Sequence, residues 1–372
     1  MSRSHYIIPI FVPHIGCPHN CVFCNQNTIT GKKEIKDSNV QEITKKSCRN
    51  IIEEYLNTIN KYGNEEKVIE VSFFGGTFTA IPLEKQIELL EVAYEYKCKE
   101  KINFIRLSTR PDYIDISELN ILKKYGVDII ELGVQSLDND VLKCSGRGHS
   151  SDVVKTASNL IKEFNITLGI QVMLGLPCDN FAKDIKTAKE VCEIKPDICR
   201  IYPSLVIKDT PMETMFKKGE YTPYSLKETI EICKIVYSMF ISNDINVIRV
   251  GLQPTEDINE GAEVVTGPFH PAFRELMESS LLNEMIFKFL KDINSKEIQI
   301  IINPKNVSKL YSNKKYYFNE YNHKYYNGNI EVIQDFNVEK DEIKIKIQET
   351  CKTMSFKKFL EIKSKEGNKY LL

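Results

Sequence analysis

Short, nearly all-apolar runs alternate with longer amphipathic segments through the first two-thirds of the chain, and this alternation constrains the fold more than any other feature. Residues 5–12, 68–74, 102–108, 127–134, 167–174 and 197–205 read as strands. Between them, residues 39–62, 83–99, 117–125, 151–164 and 181–193 read as helices. A strand without polar alternation has both faces buried, which suits a parallel sheet covered by helices. Repeated strand–helix units of this length make a barrel or a doubly wound sheet. Ser150 and Ser151, ahead of Asp152, suit the start of one helix. A long helix over 224–242 and a last strand-like run at 246–251 close the pattern. The expected fold class is therefore α/β, a partial (βα)6-type barrel over residues 1–258. Beyond it the texture changes. Residues 259–294 read as a helical connector, and the Lys-, Asn- and Tyr-rich stretch 295–372, with short strands at 298–302 and 343–347, reads as a small α+β domain.

The chain has 372 residues and a formal charge of −1, so no global basic field draws it to nucleic acid, and DNA is not an expected partner. It holds no run of about 18 apolar residues, and no membrane span is expected. Pro9 and Pro13 interrupt the N-terminal apolar run, which reads against a cleaved signal. There are 11 cysteines. Cys48, Cys98, Cys144, Cys192 and Cys233 stand singly in apolar stretches and are expected as small buried thiols. A secreted disulfide framework would be short and cysteine-dense, so a reduced, cytoplasmic protein is expected. Cys17, Cys21 and Cys24 break the pattern by crowding together.

They lie in the loop Gly16-Cys17-Pro18-His19-Asn20-Cys21-Val22-Phe23-Cys24, directly after the first strand. Three thiolates can hold three irons of a cubane 4Fe–4S cluster. The fourth iron is left for a small molecule that chelates through an amine and a carboxylate. Two other readings stand beside this one. Cys21 and Cys24 could be half of a zinc site completed by Cys17 and His19 or His14, or a redox dithiol. The C-x3-C-x2-C spacing resembles the signature of the radical S-adenosylmethionine (radical SAM) superfamily. The resemblance implies a 4Fe–4S cluster on Cys17, Cys21 and Cys24, SAM on the open iron, and its reductive cleavage to a 5′-deoxyadenosyl radical with an electron from an external one-electron donor. Phe23 takes the family's aromatic position beside the adenine.

Further motifs follow the same resemblance in order. Gly75, Gly76 and Thr77 match the glycine motif that bonds the methionine amino group; alone they would read as a tight connection in which backbone can approach closely. Ser108 stands where relatives often carry a cofactor-touching glutamate, and it brings a hydrogen bond without charge. Arg110 beside Asp112 reads as a structural ion pair. Gln135 ends the fourth strand, at the barrel mouth where ligands bind, and the resemblance makes it a ribose contact. Arg147 takes the place of an arginine near the cofactor carboxylate, a partner that suits a planar guanidinium. His149 reads equally as a packing or capping residue. Gln171 stands where coproporphyrinogen-oxidase-like relatives have an aspartate. No catalytic acid or base is assigned; Tyr202, Arg249 and His270 are merely polar residues near strand ends or Pro-rich turns.

The resemblance spans residues 5–258 and is greatest to the radical domain of the catalytic subunit of Elongator, through Arg147-Gly148-His149, Met173-Leu174-Gly175-Leu176-Pro177 and Ile201-Tyr202-Pro203-Ser204-Leu205. The cysteine spacing is instead like that of oxygen-independent coproporphyrinogen III oxidase. That Elongator subunit acts on the wobble uridine of tRNA and carries a C-terminal acetyltransferase domain; here the remaining residues show no convincing acetyl-coenzyme A phosphate loop. They resemble a KH-type RNA-binding module, with Tyr311–Lys315 in place of its G-x-x-G loop. Lys305, Lys309, Lys314, Lys315 and Lys324 surround Tyr316, Tyr317, Phe318 and Tyr321, a mixture that suits single-stranded RNA. The plain reading is a small core rich in tyrosine. The expected function is radical modification of an RNA, tRNA-like in kind. A radical enzyme for a small metabolite or tetrapyrrole is one alternative, and a non-catalytic RNA-binding protein with a structural cluster is another.

Overall fold

The computed structural model describes residues 4–12, 19–25, 43–59, 67–252, 263–295 and 297–371. The first part runs β1 (Ser4–Val12), α1 (Lys45–Ile59), β2 (Lys67–Gly75), α2 (Leu83–Cys98), β3 (Phe104–Thr109), α3 (Ile116–Lys124), β4 (Ile129–Gln135), α4 (Asn139–Cys144), α5 (Ser151–Glu163), β5 (Thr167–Leu174), α6 (Phe181–Ile194) and β6 (Ile198–Pro203). It continues through β7 (Val206–Ile207), α7 (Pro211–Lys217), α8 (Leu226–Ser242), β8 (Asn246–Val250) and β9 (Val264–Thr266). Among the described residues, β1 to β6 and β8 form one parallel sheet in sequential order, curled into a half-barrel. The N-terminal run is thus an edge strand paired along its length with β2. The strand-like run after the long helix becomes a seventh parallel strand.

Side chains alternate across each strand. Ile105, Leu107, Ile130, Leu132, Leu168 and Ile170 face the helices and pack with Leu89, Val92, Leu122, Val154, Ile161 and Val191. Each such side chain contributes about 1.5–3 kcal/mol by burial, so this layer holds the half-barrel together. Helix starts are fixed by Asp115, Asn180 and Ser225, whose side chains accept backbone N–H groups; Ser225 and Glu228 form a full capping box. The start expected at Ser150 is capped differently. Its hydroxyl makes no capping bond, and the N–H of Ser151 is taken by the Asn139 side chain across the loop.

The second part begins with α9 (Phe273–Leu290) and continues through β10 (Glu297–Ile302), α10 (Val307–Leu310), α11 (Ser312–Tyr321), β11 (Asn329–Gln334), β12 (Glu342–Ile347), β13 (Thr350–Ser355) and α12 (Phe356–Lys365). Its sheet has the order β11-β10-β12-β13, with β10 and β11 parallel and the other pairs antiparallel. The helix in the stretch expected as a connector, α9, lies between two cores. Leu276, Met277 and Leu281 pack into the barrel core, while Met285, Ile286, Phe287 and Leu290 pack into the C-terminal core.

Two cysteine expectations need correction. Cys98 is exposed at the end of α2 rather than buried, because the helix turns its last residue to solvent. Cys144, expected as a buried thiol, forms a disulfide with Cys178, because the loops after β4 and β5 bring their Cα atoms to 6.1 Å. No helix among the described residues is long and apolar enough to cross a membrane.

Candidate functional site

The described part of the cysteine loop, residues 19–25, sits over the C-terminal ends of the strands, where a barrel presents its functional side chains. The segment Cys21-Val22-Phe23-Cys24 closes a turn through the Cys24 N–H bond to the Cys21 carbonyl, 3.0 Å. Cys17 lies outside the described residues. Three neighbouring segments seat the loop. The Val22 N–H donates to the Ser145 carbonyl (3.1 Å), and the Met212 N–H donates to the Val22 carbonyl (2.9 Å). His19 pairs with Asp112 at 3.3 Å. A side chain at Gly148, where φ is +74°, would collide with the His19 ring at 2.4 Å, so glycine is what lets the ring lie there.

Two guanidinium groups converge on Cys21, which is 5 % exposed. Arg147 Nη1 donates to its Sγ at 3.2 Å, and Arg147 Nη2 donates to the Gly133 carbonyl. Arg110 Nη1 lies 3.8 Å from the same sulfur, while its Nε and Nη2 grip Asp112 at 2.9 Å each. Arg110 also donates to the Arg147 carbonyl, which ties the loops after β3 and β4 together. Burial would raise the Asp112 carboxyl, but Arg110 outweighs it and holds the group below its ordinary value.

The positions expected to meet a cofactor divide into two groups. Gly75 ends β2 with φ +108°, and Gly76 donates to the Val12 carbonyl at 3.3 Å. A Cβ at Gly75 would sit 2.6 Å from the Val12 oxygen. Gly75→Ala is accordingly expected to lower stability by at least about 1 kcal/mol, since both the space and the left-handed backbone oppose it; the urea midpoint measures this. Thr77 is buried beside it. At the ends of β3 and β4, Ser108 Oγ, Gln135 Oε1 and Arg147 Nε are buried without a protein partner. Gln135 has φ +70° after a bulge at Gly133, and its amide lies beside Arg147 above that glycine. Buried polar groups are nearly always paired, so these three unpaired ones mark a candidate cradle for a polar ligand.

Phe23 and Gln171 stand apart from that cradle. Phe23 packs with Met212, Tyr221 and Val206 on the α7 side. Gln171 Nε2 donates to Glu131 at 3.0 Å. It belongs to a buried ionic layer on the inner face of the sheet that the sequence reading missed. There Arg106 pairs with both Glu70 and Glu131, and Arg200 grips Glu131 through Nε at 2.6 Å and Nη2 at 2.8 Å. Burial would raise the Glu131 carboxyl, but Arg200 and Arg106 hold it below its ordinary value. The available signal was one charged residue in each of several otherwise apolar strands. Tyr202 lies two residues after Arg200 on β6, and burial raises its phenol. His270 is a turn residue, its Nδ1 accepting the Ala272 N–H at 3.0 Å.

The Radical SAM superfamily model matches residues 11–191, and the Radical_SAM C-terminal domain model matches residues 196–283. The chain belongs to the radical SAM superfamily. A tRNA uridine(34) acetyltransferase of Methanocaldococcus infernus is 30% identical over 262 residues, covering 63% of this chain and 49% of that protein. This radical SAM chain thus spans about half the length of that relative. The uncharacterized protein MJ0486 of Methanocaldococcus jannaschii is 32% identical over 230 residues, covering 59% of this chain and 67% of that protein. The solved structure of an archaeal Methanocaldococcus infernus Elp3 with an N-terminal deletion shares the fold, with TM-score 0.57 and 24% identity over 76% of this chain and 64% of that one. The protein is an enzyme of this superfamily, whose members generally use a 4Fe–4S cluster and SAM.

Proposed function

We propose that this radical SAM enzyme cleaves SAM at a 4Fe–4S cluster and uses the product radical to modify an RNA, tRNA-like in kind. The observation that carries the first half is the cradle of unpaired polar atoms, Ser108 Oγ, Gln135 Oε1 and Arg147 Nε, beside Cys21. Cys17, Cys21 and Cys24 would hold the cluster. Gly75, Gly76, Thr77, Ser108, Gln135 and Arg147 would hold SAM, and Phe23 and Gln171, which stand apart from the cradle, would be its remaining contacts. When bound, the pair supplies one-electron cleavage of SAM, and with it hydrogen abstraction or radical addition, the electron coming from an external donor. The chain's own part is positional. Arg147 is fixed through its two terminal nitrogens, and its Nε is left without a protein partner. The ionic layer on Glu131 holds the inner face in one shape and leaves few ways for water to reorganise there.

The second half is supported by the relatives named as tRNA uridine(34) acetyltransferases and by the C-terminal domain. Asn313, Lys314 and Lys315 all adopt left-handed backbone, with φ of 50°, 54° and 64°, in a turn without glycine. Such strain, kept on an exposed turn, is more readily explained by what its side chains contact than by packing. Lys315 lies over the Tyr311 ring at 4.3 Å, and Tyr316 is half-exposed. Next to the turn, a cleft of 490 Å³ is lined by Tyr316, Tyr321, Tyr325, Lys324 and Lys227, with Glu231, Glu284, Glu320 and Glu366 among its other lining residues. The exposed Lys314 and Lys315 of the turn for phosphate, and Tyr316 for a base, suit single-stranded RNA.

Two measurements test the two halves separately. Arg147→Lys is expected to weaken SAM binding about tenfold, because an ammonium cannot reproduce a planar fork; equilibrium dialysis on samples matched for iron content reads this. A Lys314→Glu, Lys315→Glu double variant is expected to weaken tRNA binding about tenfold or more and to flatten its salt dependence. Unchanged affinity and slope would remove the C-terminal turn from the RNA reading. Charge reversal is preferable to truncation after Ser295, which would strip the cover from α9.

A further inference from the structure

The Cys144–Cys178 pair joins the two loops that flank the seat of the cysteine loop. Cys144 ends α4, and the residues that follow it immediately, Ser145 to Gly148, are the seat itself. Ser145 takes the Val22 N–H, Gly146 lies against the backbone of Asn20 and Cys21, and Arg147 bonds Cys21. Cys178 follows β5 and is exposed, whereas Cys144 is half-buried. The backbone at Cys178 is left-handed, φ +65°, a shape glycine adopts at less steric cost. A polar tie already links the same two loops. Lys183 donates to the Cys178 carbonyl at 3.0 Å and pairs at 3.3 Å with Asp138, the residue that caps α4. The loop after β5 and the start of α6 therefore hold the two ends of α4, α6 through the Lys183 ion pair and the loop through sulfur. Losing the sulfur tie leaves the cap in place and leaves the end that carries Ser145 and Arg147 held by hydrogen bonds alone.

We propose that Cys144 and Cys178 form a reversible thiol–disulfide site whose oxidised form clamps the seat of the cysteine loop and whose reduced form loosens it. The oxidant is a small disulfide of the glutathione class. The Cys178 thiolate, reachable from solvent, attacks one sulfur of the small disulfide and expels its first thiolate. The Cys144 thiolate then attacks the mixed disulfide at Cys178 and expels the second. The pair loses two protons and two electrons, and the small disulfide is reduced to two thiols. Exposed disulfides are the ones that exchange in this way, while buried structural ones resist reduction.

The test uses the full chain without added iron, equilibrated in oxidised or in reduced glutathione. Unreacted thiols are alkylated, the peptides mapped, and amide hydrogen exchange followed over residues 19–25 and 145–148. The expected result is a linked Cys144–Cys178 peptide in oxidised glutathione that reverts in reduced glutathione, with exchange over both segments at least about threefold slower in the oxidised form. Cys178→Ser and, independently, Cys144→Ser should show the faster rates in both buffers. Free, alkylatable Cys144 and Cys178 in oxidised glutathione, or a mixed disulfide that stays on Cys178, would overturn the site. A linked peptide with unchanged exchange would overturn the clamp.

Discussion

Cys24→Ala is expected to leave the reconstituted protein with little iron and to cut 5′-deoxyadenosine release at least about 100-fold. Losing an outer-shell partner of a metal ligand costs roughly 10–100-fold in affinity or activity, and here a ligand itself is removed. Cys24 is the informative choice among the three. Cys21 is buried and receives both Arg147 and Arg110, so its loss would also unseat the loop. Cys24 is half-buried, and its backbone bond to Cys21 survives the substitution. Cys351→Ala, at an exposed free cysteine on β13, is the control and should keep iron and release unchanged. Iron content and product release are read on anaerobically reconstituted protein. Iron retained in Cys24→Ala at the native level would return the zinc or dithiol reading of the loop.

The parallel half-barrel was legible because its signal is local. Apolar strands without alternation, separated by helices of the right length, leave few arrangements open. The loop of cysteines and the glycines at 75 and 76 could be singled out for the same reason, since their spacing along the chain is local. What stayed hidden depends on partners distant in sequence. Glu131 is one charged residue in an apolar run, and only the arrival of Arg106 and Arg200 from neighbouring strands makes its burial tolerable. Cys144 and Cys178 each look like an isolated cysteine until two loops meet. The helix α9 is the clearest case. Glu278, Ser279, Ser280, Asn283 and Glu284 are polar, yet all are buried; cations from α10, α8 and α12 meet the two glutamates, and Asn283 donates to the Leu310 carbonyl. The edge strands β11 and β13 were missed too, since β11 is half-exposed and β13 mostly exposed, and neither carries a continuous apolar run.

The cations around α9 lead to the other large expected effect. Glu284 is 4 % exposed and bonds Lys234 of α8 at 2.8 Å and Lys363 of α12 at 2.7 Å; Lys288 reaches it from one turn on. Lys234 is fully buried, with Ser280 and Glu231 as further partners. This one carboxylate thus joins a barrel helix, the shared helix and the last helix. Burial alone would raise its pKa, but Lys234 and Lys363 outweigh burial and lower it from 4.5 to about 2. A depressed carboxyl pKa stabilises the fold above the unfolded value, and the contribution is lost as pH falls from about 4.5 through about 2. At 1.36 kcal/mol per unit, the shift corresponds to about 3 kcal/mol at neutral pH. Glu284→Gln keeps the volume and removes the charge, leaving Lys234 and Lys363 to share only Glu231 and Glu366. It should lower unfolding stability by about 3 kcal/mol at pH 7 and flatten the acid limb of the stability curve between pH 4.5 and 2. Replacing the three groups together, Lys234→Met, Glu284→Leu and Lys363→Met, should recover most of that loss, because a buried charged cluster exchanged for apolar side chains of similar size is often close to neutral. Urea unfolding at a series of pH values separates these outcomes. Equal losses in the single and triple variants would mean that shape, not charge compensation, is what Glu284 contributes.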